Sequence, residues 1–117
     1  LAKRIDSNRV NTVKKVSVLK VTATAYCLRG RTAYGYQTKV GIVAVDPKVI
    51  KPHSLLYIKG YGQAIAADTG SAIKGRKIDI WLPSRGDCLV WGKRKVLVTI
   101  LRRGKGKERS NYVRTFR

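Results

Sequence analysis

The chain has 117 residues, of which 44% are hydrophobic, and its 26 Lys and Arg outnumber six Asp and Glu to give a net charge of +20. This length suits one domain with its own core, and the hydrophobic content argues against a disordered basic protein. The chain has no apolar run of about 18 residues, so we expect no membrane-spanning helix. The positive charge indicates an anionic partner, which nucleic acid, anionic lipid or an acidic cell-wall polymer would each provide.

The order of apolar and polar residues is typical of an all-β protein. Residues 16–26 alternate between the two classes, which predicts a long strand, and a slip in the alternation near Leu19 predicts a β-bulge. Further strands are predicted, with Gly and Pro between them, over residues 41–45, 55–58, 63–67, 77–82 and 95–101. Many short strands at close spacing favour a small closed barrel, because closure removes exposed strand edges.

Helix is expected only in short pieces. Ser84, with Asp87 three residues later, is typical of a helix start, and Gly92 is typical of a helix end. Single turns are expected at 46–50 and 71–74. Around these elements we expect three segments: a basic, linker-like stretch over residues 1–14, the barrel domain over 15–103, and a basic tail over 104–117.

The start of the chain lacks the apolar stretch of a signal peptide. We therefore expect that a segment upstream of Leu1, including any signal, has been removed.

The cysteines and the histidine do not form a recognisable metal motif. Cys27, Cys88 and the single His53 match no zinc-binding spacing, so we expect no metal and no cofactor. Cys27 and Cys88 are either two small buried thiols or a disulfide. The disulfide is favoured if the domain works outside the cell, where such bonds persist.

Three of the six acidic residues adjoin apolar strands, where a carboxylate is costly unless it is hydrogen-bonded, paired or neutral. Asp46, before Pro47, suits the cap of a short helical turn, and Asp68 suits an Asx-turn. Asp79 lies inside a strand, where Asp is disfavoured. Alternation turns it away from Ile78 and Ile80 and toward a groove. Desolvation there would raise its pKa, which a general acid at neutral pH requires.

Five blocks of the sequence, in order and spacing, closely resemble the 3D domain, a family named for three aspartates. The resemblance runs from about residue 18 to residue 101 and includes Trp91-Gly92. It implies a double-psi β-barrel, related to the catalytic barrel of the membrane-bound lytic transglycosylase A family and more distantly to the expansins. The matching blocks are Val21-Thr22-Ala23-Thr24-Ala25-Tyr26, Gly41-Ile42-Val43-Ala44-Val45-Asp46-Pro47, residues 60–70, Ile73-Lys74-Gly75 and Lys77-Ile78-Asp79-Ile80-Trp81.

The resemblance implies a lytic transglycosylase that cleaves the β-1,4 bond between N-acetylmuramic acid and N-acetylglucosamine and forms a 1,6-anhydro sugar. Its catalytic residue is the third aspartate, which falls on Asp79, acting as general acid and then as base. Asp46 and Asp68 become supporting groups that tune the pKa of the acid and hold the sugar. We expect a secreted or cell-wall-associated protein whose partners are peptidoglycan glycan strands and, in addition, anionic wall polymers.

Other residues are weaker candidates for substrate contact. Thr24, Tyr26, Thr32 and Lys74 would each reach sugar hydroxyls, a sugar face or an acidic group, although each also suits an ordinary structural or solvated role. The chain departs from the family pattern where Lys51-Pro52-His53-Ser54 replaces the usual proline-leucine-glycine-threonine, so we expect that loop to differ in shape.

Two other functions fit parts of the sequence. One is a non-catalytic glycan-binding barrel, as in the expansins, in which the aspartates only shape the fold. The other is a nucleic-acid-binding protein, which the charge of +20 favours. We expect no specific nucleic-acid binding, because no recognition motif with interleaved aromatics is present and the strand-associated aspartates would repel phosphate.

Overall fold

The computed structural model describes residues 17–105. These residues form six strands and one helix, which are β1 (Ser17–Tyr26), β2 (Ile42–Ala44), β3 (Leu55–Ile58), β4 (Gly62–Asp68), β5 (Lys77–Trp81), α1 (Arg85–Trp91) and β6 (Arg94–Arg102). The predicted segment over 1–14 and the tail beyond residue 105 lie outside the described residues.

The strands close into a barrel in the order β1-β5-β2-β4-β3-β6. The β1–β5 and β2–β4 pairs are parallel and the other four are antiparallel. The prediction of a small all-β barrel with a short helix is therefore confirmed. In the described residues α1 is the only helix, and it is neither long nor apolar enough to cross a membrane.

Strand alternation divides the side chains between two apolar clusters. The inner cluster fills the barrel and includes Val21 and Ala23 from β1, Ile78 and Ile80 from β5, and Val98 from β6. The second cluster lies on the outer face of β2, β4 and β5, where the loop over residues 27–40 covers it; its members are Ile42, Ala67 and Trp81, with Tyr26, Tyr36 and Ile65 packed against them. The loop over residues 27–40 thus covers one part of the outer face of the barrel. Residues at the edge of that covered part are half-buried.

Helix α1 is fixed at both ends and anchored to β1. The Ser84 hydroxyl accepts a hydrogen bond from the Asp87 amide at 3.0 Å, and Gly92 ends the helix at φ 68°, so both predicted ends are confirmed. Trp91 is only 8% exposed, and its Nε1 donates to the Ala23 carbonyl at 3.1 Å. This contact holds the helix against the strand that carries Thr24.

The bulge predicted near Leu19 is absent. The β1–β6 register runs without interruption from Ser17 opposite Ile100 to Ala23 opposite Arg94. The side chain of Leu19 lies on the same inner face as those of Val21 and Ala23. Val18 is apolar but lies on the outer face, where it is 55% exposed, and this exposed apolar residue made the alternation in the sequence look interrupted. The register shifts instead lie between β2 and β4 and between β3 and β6.

The loop before β3, for which a different shape stays a prediction, carries a side chain at a position whose backbone conformation suits glycine. His53 adopts φ 70° at the position where the family pattern has glycine. Its Nδ1 lies 2.6 Å from the Tyr36 hydroxyl, and the rings of Tyr34 and Tyr36 stack beside it. On the other side the Ser54 hydroxyl accepts from the Gly104 amide at 2.9 Å. Packing on both sides therefore holds a side chain where glycine would be less strained.

Candidate functional site

Four residues from four neighbouring strands form one row on the outer face of the barrel, here called the acid row. Thr24 of β1 is opposite Asp79 of β5, Asp79 is opposite Ala44 of β2, and Ala44 is opposite Asp68 of β4. The strand spacing puts the Cα atoms of Asp79 and Asp68 about 10 Å apart. The small, buried side chain of Ala44 lies between them.

A β-bulge turns Asp68 onto this face. The β2–β4 register places Val43 opposite Ala66 but Ala44 opposite Asp68, so Ala67 is the extra residue. Ala66 belongs to the inner cluster and Ala67 to the outer one. Without the extra residue, alternation would point Asp68 into the barrel. The bulge therefore brings the two carboxylates together on the same side.

Asp79 is half-buried, as is Asp68. Burial raises its pKa above the ordinary value, and the negative charge of Asp68 adds to that rise. The Thr24 hydroxyl, which donates to Oδ1 at 2.8 Å, and the positive charge of Lys77 act in the opposite direction. Asp79 is thus an acid whose proton is retained more strongly than that of an exposed aspartate, and its position is fixed by one side-chain donor.

Asp68 is held by three hydrogen bonds. Its Oδ1 accepts from the amides of Ala33, at 2.8 Å, and Thr69, at 2.9 Å, and its Oδ2 accepts from the Tyr26 hydroxyl at 3.2 Å. The Ala33 contact ties the covering loop to the acid row. Burial, followed by the charge and hydrogen bond of Asp68, raises the pKa of Tyr26, so the phenol remains a donor at neutral pH.

Asp46 lies outside the acid row and serves the backbone. Its Oδ1 accepts from the Lys48 amide at 3.0 Å, and its carbonyl accepts from the amides of Val49 and Ile50, which form the predicted turn. Its Oδ2 accepts from the Gly75 amide at 2.7 Å. These amide donors, with smaller contributions from Lys74 and Lys48, hold the pKa of Asp46 below its ordinary value. Asp46 therefore caps one turn and fastens a second loop to it.

Of the weaker candidates, Lys74 lies away from the acid row, whereas Thr32 lies beside it. Thr32 is 7% exposed and its hydroxyl accepts from the Tyr36 amide at 3.0 Å within its own turn, but the amide of the next residue, Ala33, donates to Asp68. Lys74 is exposed, and the charge it influences is that of Asp46. The structure thus brings Thr24, Tyr26, Asp68 and Asp79 together and leaves Lys74 and Asp46 apart from them.

A comparison of the sequence with protein-family profiles matches residues 41–102 to the 3D domain. The chain belongs to the 3D domain family. The match covers β2 to β6, and therefore includes Asp46, Asp68 and Asp79, whereas Thr24 and Tyr26 on β1 precede it.

Curated relatives extend the similarity of this 3D domain to β1. "Cell wall-binding protein YocH" of Bacillus subtilis (strain 168) is 44% identical over 108 residues, which cover 85% of this chain and 37% of the relative. "Putative cell wall shaping protein YabE" of the same organism is 41% identical over 103 residues, covering 83% of this chain and 25% of the relative. The chain thus spans well under half the length of both relatives.

Among solved structures, the barrel is similar to the crystal structure of MltA from Escherichia coli, a lytic transglycosylase. The TM-score is 0.53 with 23% sequence identity, and the alignment covers 67% of this chain and 29% of MltA. At this level of identity the likeness concerns the fold, and it confirms the barrel relationship that the sequence motifs of the 3D domain implied.

The two cysteines of this 3D domain are free and half-buried in the structure, and a disulfide between them stays a prediction. Desolvation, then the nearby Cys27, raises the pKa of the Cys88 thiol. Within residues 17–105, no three His, Cys, Asp or Glu side chains converge as a metal site would require.

The sequence did not indicate that backbone amides and a small side chain help to form the site. Ala44 separates the two carboxylates, and the amides of Ala33 and Thr69 hold Asp68. One signal was present, because the consecutive alanines Ala66-Ala67 interrupt the alternation of β4 just before Asp68. That interruption is the β-bulge.

Proposed function

We propose that this 3D domain is a peptidoglycan lytic transglycosylase that cleaves the β-1,4 bond between N-acetylmuramic acid and N-acetylglucosamine. The observation that carries the proposal is the environment of Asp79, a half-buried carboxyl on the outer face whose pKa is raised by burial and whose Oδ1 is held by Thr24 at 2.8 Å. A carboxyl with these properties suits a group that must donate a proton near neutral pH.

In the first step the protonated Asp79 donates its proton to the glycosidic oxygen, and the bond from that oxygen to C1 of the muramic acid breaks. Positive charge develops at C1 and the ring oxygen. Asp68, about 10 Å away by strand spacing, contributes a negative charge on the same face. An electrostatic partner of this kind lowers the energy of a cationic transition state without forming a bond to it.

In the second step the same Asp79, now a carboxylate, accepts the proton of the C6 hydroxyl while that oxygen attacks C1. This step forms the 1,6-anhydro ring and returns Asp79 to its protonated form, so no water is consumed. One acid–base group serves both steps, whereas a hydrolase commonly needs two carboxylates flanking the bond. Thr24 positions the carboxyl, and by favouring its ionised form it assists the proton donation of the first step.

Two further observations support a role in the cell wall. The relatives YocH and YabE carry the names "Cell wall-binding protein" and "Putative cell wall shaping protein". The net charge of +20 would draw the chain to anionic wall polymers, an attraction that salt weakens. We propose accordingly that the protein is secreted or associated with the cell wall and that peptidoglycan glycan strands are its partner.

The name of YocH also favours a second function, a barrel that binds wall glycan without cleaving it. In that case Asp68 and Asp79 would hold sugar hydroxyls, and the raised pKa of Asp79 would have no catalytic consequence. Digestion of purified peptidoglycan, with the soluble products read by mass spectrometry, distinguishes the two functions.

The deciding variant is Asp79→Asn, which keeps the shape and the acceptor for Thr24 but removes the proton donor. Its matched control is Asp87→Asn, the same change at an exposed position of α1. We expect muropeptides lighter by one water from the wild type and the control, and a loss of roughly 10²- to 10⁴-fold for Asp79→Asn. Products that retain the mass of the added water would indicate a hydrolase. If the wild type, Asp79→Asn and Asp87→Asn all bind the wall and release no products, the binding function is favoured.

A further inference from the structure

A second row of side chains, here called the basic row, runs beside the acid row on the same outer face. Lys77 of β5 is opposite Thr22 of β1, and Thr22 is opposite Lys95 of β6. Their outward direction follows from the burial of the intervening residues, since Val21, Ala23 and Ile78 belong to the inner cluster. The strand spacing puts the Cα atoms of Lys77 and Lys95 about 10 Å apart, with the Thr22 hydroxyl between them.

The basic row adjoins the proposed catalytic group directly. Lys77 is two residues before Asp79 on β5, so their Cα atoms lie about 7 Å apart with both side chains on the outer face. The charge of Lys77 is felt by Asp79, whose pKa it lowers against the effect of burial. A molecule placed with its reacting bond at Asp79 and extending along β1 and β5 toward their amino ends would therefore pass over the basic row.

Apart from Asp79, whose charge interacts with that of Lys77, the described carboxylates give the basic row no further neutralising partner. Asp46 is occupied by backbone amides at its turn, and Asp68 accepts three hydrogen bonds on the far side of Ala44. Asp87 lies on α1. A surface of two lysines and a hydroxyl, next to an acid that works on a sugar bond, is complementary to an anionic group on the substrate.

We infer that the basic row is a subsite for the carboxylates of the stem peptide that muramic acid carries. This inference rests on the proposed function and specifies which form of the glycan the site prefers. In peptidoglycan the peptide branches from the sugar whose C1 would lie at Asp79. Its second residue is acidic, and the basic row begins about 7 Å from Asp79 along β5, so a peptide that extends toward the amino ends of β1 and β5 would pass over it.

The test measures how strongly the protein binds and digests three wall preparations that differ only in their anionic groups. One is peptidoglycan freed of phosphate polymers; the second is the same material with its peptide carboxylates converted to amides by carbodiimide coupling; the third retains the phosphate polymers. One variant is Lys95→Gln, which leaves Lys77 beside Asp79 unchanged. The other is the double variant that combines Lys95→Gln with Lys77→Gln. Lys51→Gln, at an exposed position in the loop before β3, is the matched control.

On the phosphate-free wall we expect the double variant to bind roughly three- to tenfold more weakly than the wild type, and Lys95→Gln two- to threefold. KM should rise by similar factors. Lys51→Gln should bind like the wild type, and the differences should shrink as salt is raised. On the amidated wall all four proteins should bind equally.

Three outcomes would overturn the inference: equal losses for Lys51→Gln and Lys95→Gln, a loss that persists on the amidated wall, or a loss confined to the wall that retains phosphate polymers. The last would assign the basic row to phosphate. Because binding is measured separately, absence of soluble products from every protein would remove the proposed catalysis while the comparison of binding to the two phosphate-free walls still decides the subsite.

Discussion

Asp46 and Asp79 are both aspartates beside apolar strands, yet their environments shift their pKa values in opposite directions. Asp46 receives two backbone amides on its carboxylate oxygens, and its pKa is lowered. Asp79 has one side-chain donor and is partly desolvated, and its pKa is raised. The family motif treats the two residues alike, but the donors around each one decide which charge state the fold favours.

The comparison shows what each carboxylate does for the protein. A group whose ionised form is stabilised by the fold contributes to stability at neutral pH, whereas a group whose ionised form is destabilised reduces stability there. Asp46 is of the first kind and Asp79 of the second. Stability reduced at a position that faces the solvent is characteristic of a functional site.

The largest effect on stability is expected for Asp46→Asn. The amide keeps one acceptor oxygen but turns an NH₂ group toward the amide of Lys48 or Gly75, so one donor faces another. Because the folded pKa is depressed, the contribution of Asp46 is present above its ordinary value of 3.8 and is lost as the pH falls through the folded pKa. We expect a melting temperature several degrees lower at pH 7 and a smaller difference in acid, measured by circular dichroism. Equal melting of both proteins at pH 7 would show that the cap contributes nothing.

A smaller effect of opposite sign is expected for Asp79→Asn. Its raised folded pKa means that the ionised side chain costs stability at pH values above that pKa, and the neutral amide removes this cost while still accepting from Thr24. We expect a small gain in the free energy of unfolding at pH 7, limited by solvent screening because the carboxyl is only half-buried. The gain should disappear below the ordinary value of 3.8, where both proteins are neutral at this position. Urea denaturation at two pH values measures it, and a loss of stability at pH 7 would contradict the assignment.

The smallest effect is expected for Thr24→Val, which removes the hydroxyl that donates to Asp79 at nearly constant volume. Since that hydrogen bond lowers the pKa of Asp79, its loss should raise the pKa further. The alkaline limb of the pH dependence of kcat/KM should then move upward by a fraction of a pH unit. The position of this limb in the wild type and in Thr99→Val, the same change on β6 outside both rows, provides the comparison. A downward move would exclude Thr24 as the group that tunes Asp79.

The sequence predicted the local parts of the fold well. Hydrophobic alternation located six strands, and Ser84 with Gly92 located both ends of α1. It did not predict which candidate residues share a face, because that depends on the β2–β5 and β2–β4 pairing of segments far apart in the chain. Nor did it predict that the Thr32 hydroxyl binds within its own turn while the amide of the next residue, Ala33, contacts Asp68, because both contacts depend on how the loop folds.

Because β4 contains one extra residue, the position of Asp68 in the site depends on the number of residues in β4 as well as on which residues they are. Ala67 is an unreactive side chain, and most small substitutions there would leave the carboxylates in place. Deleting it would instead restore the even pairing of β4 with β2 and rotate Asp68 toward the inner cluster, where an ionised group is costly. Insertions and deletions, which a scan of point substitutions never samples, are therefore changes by which a relative of this barrel could gain or lose the second carboxylate of the row while keeping an aspartate in its sequence.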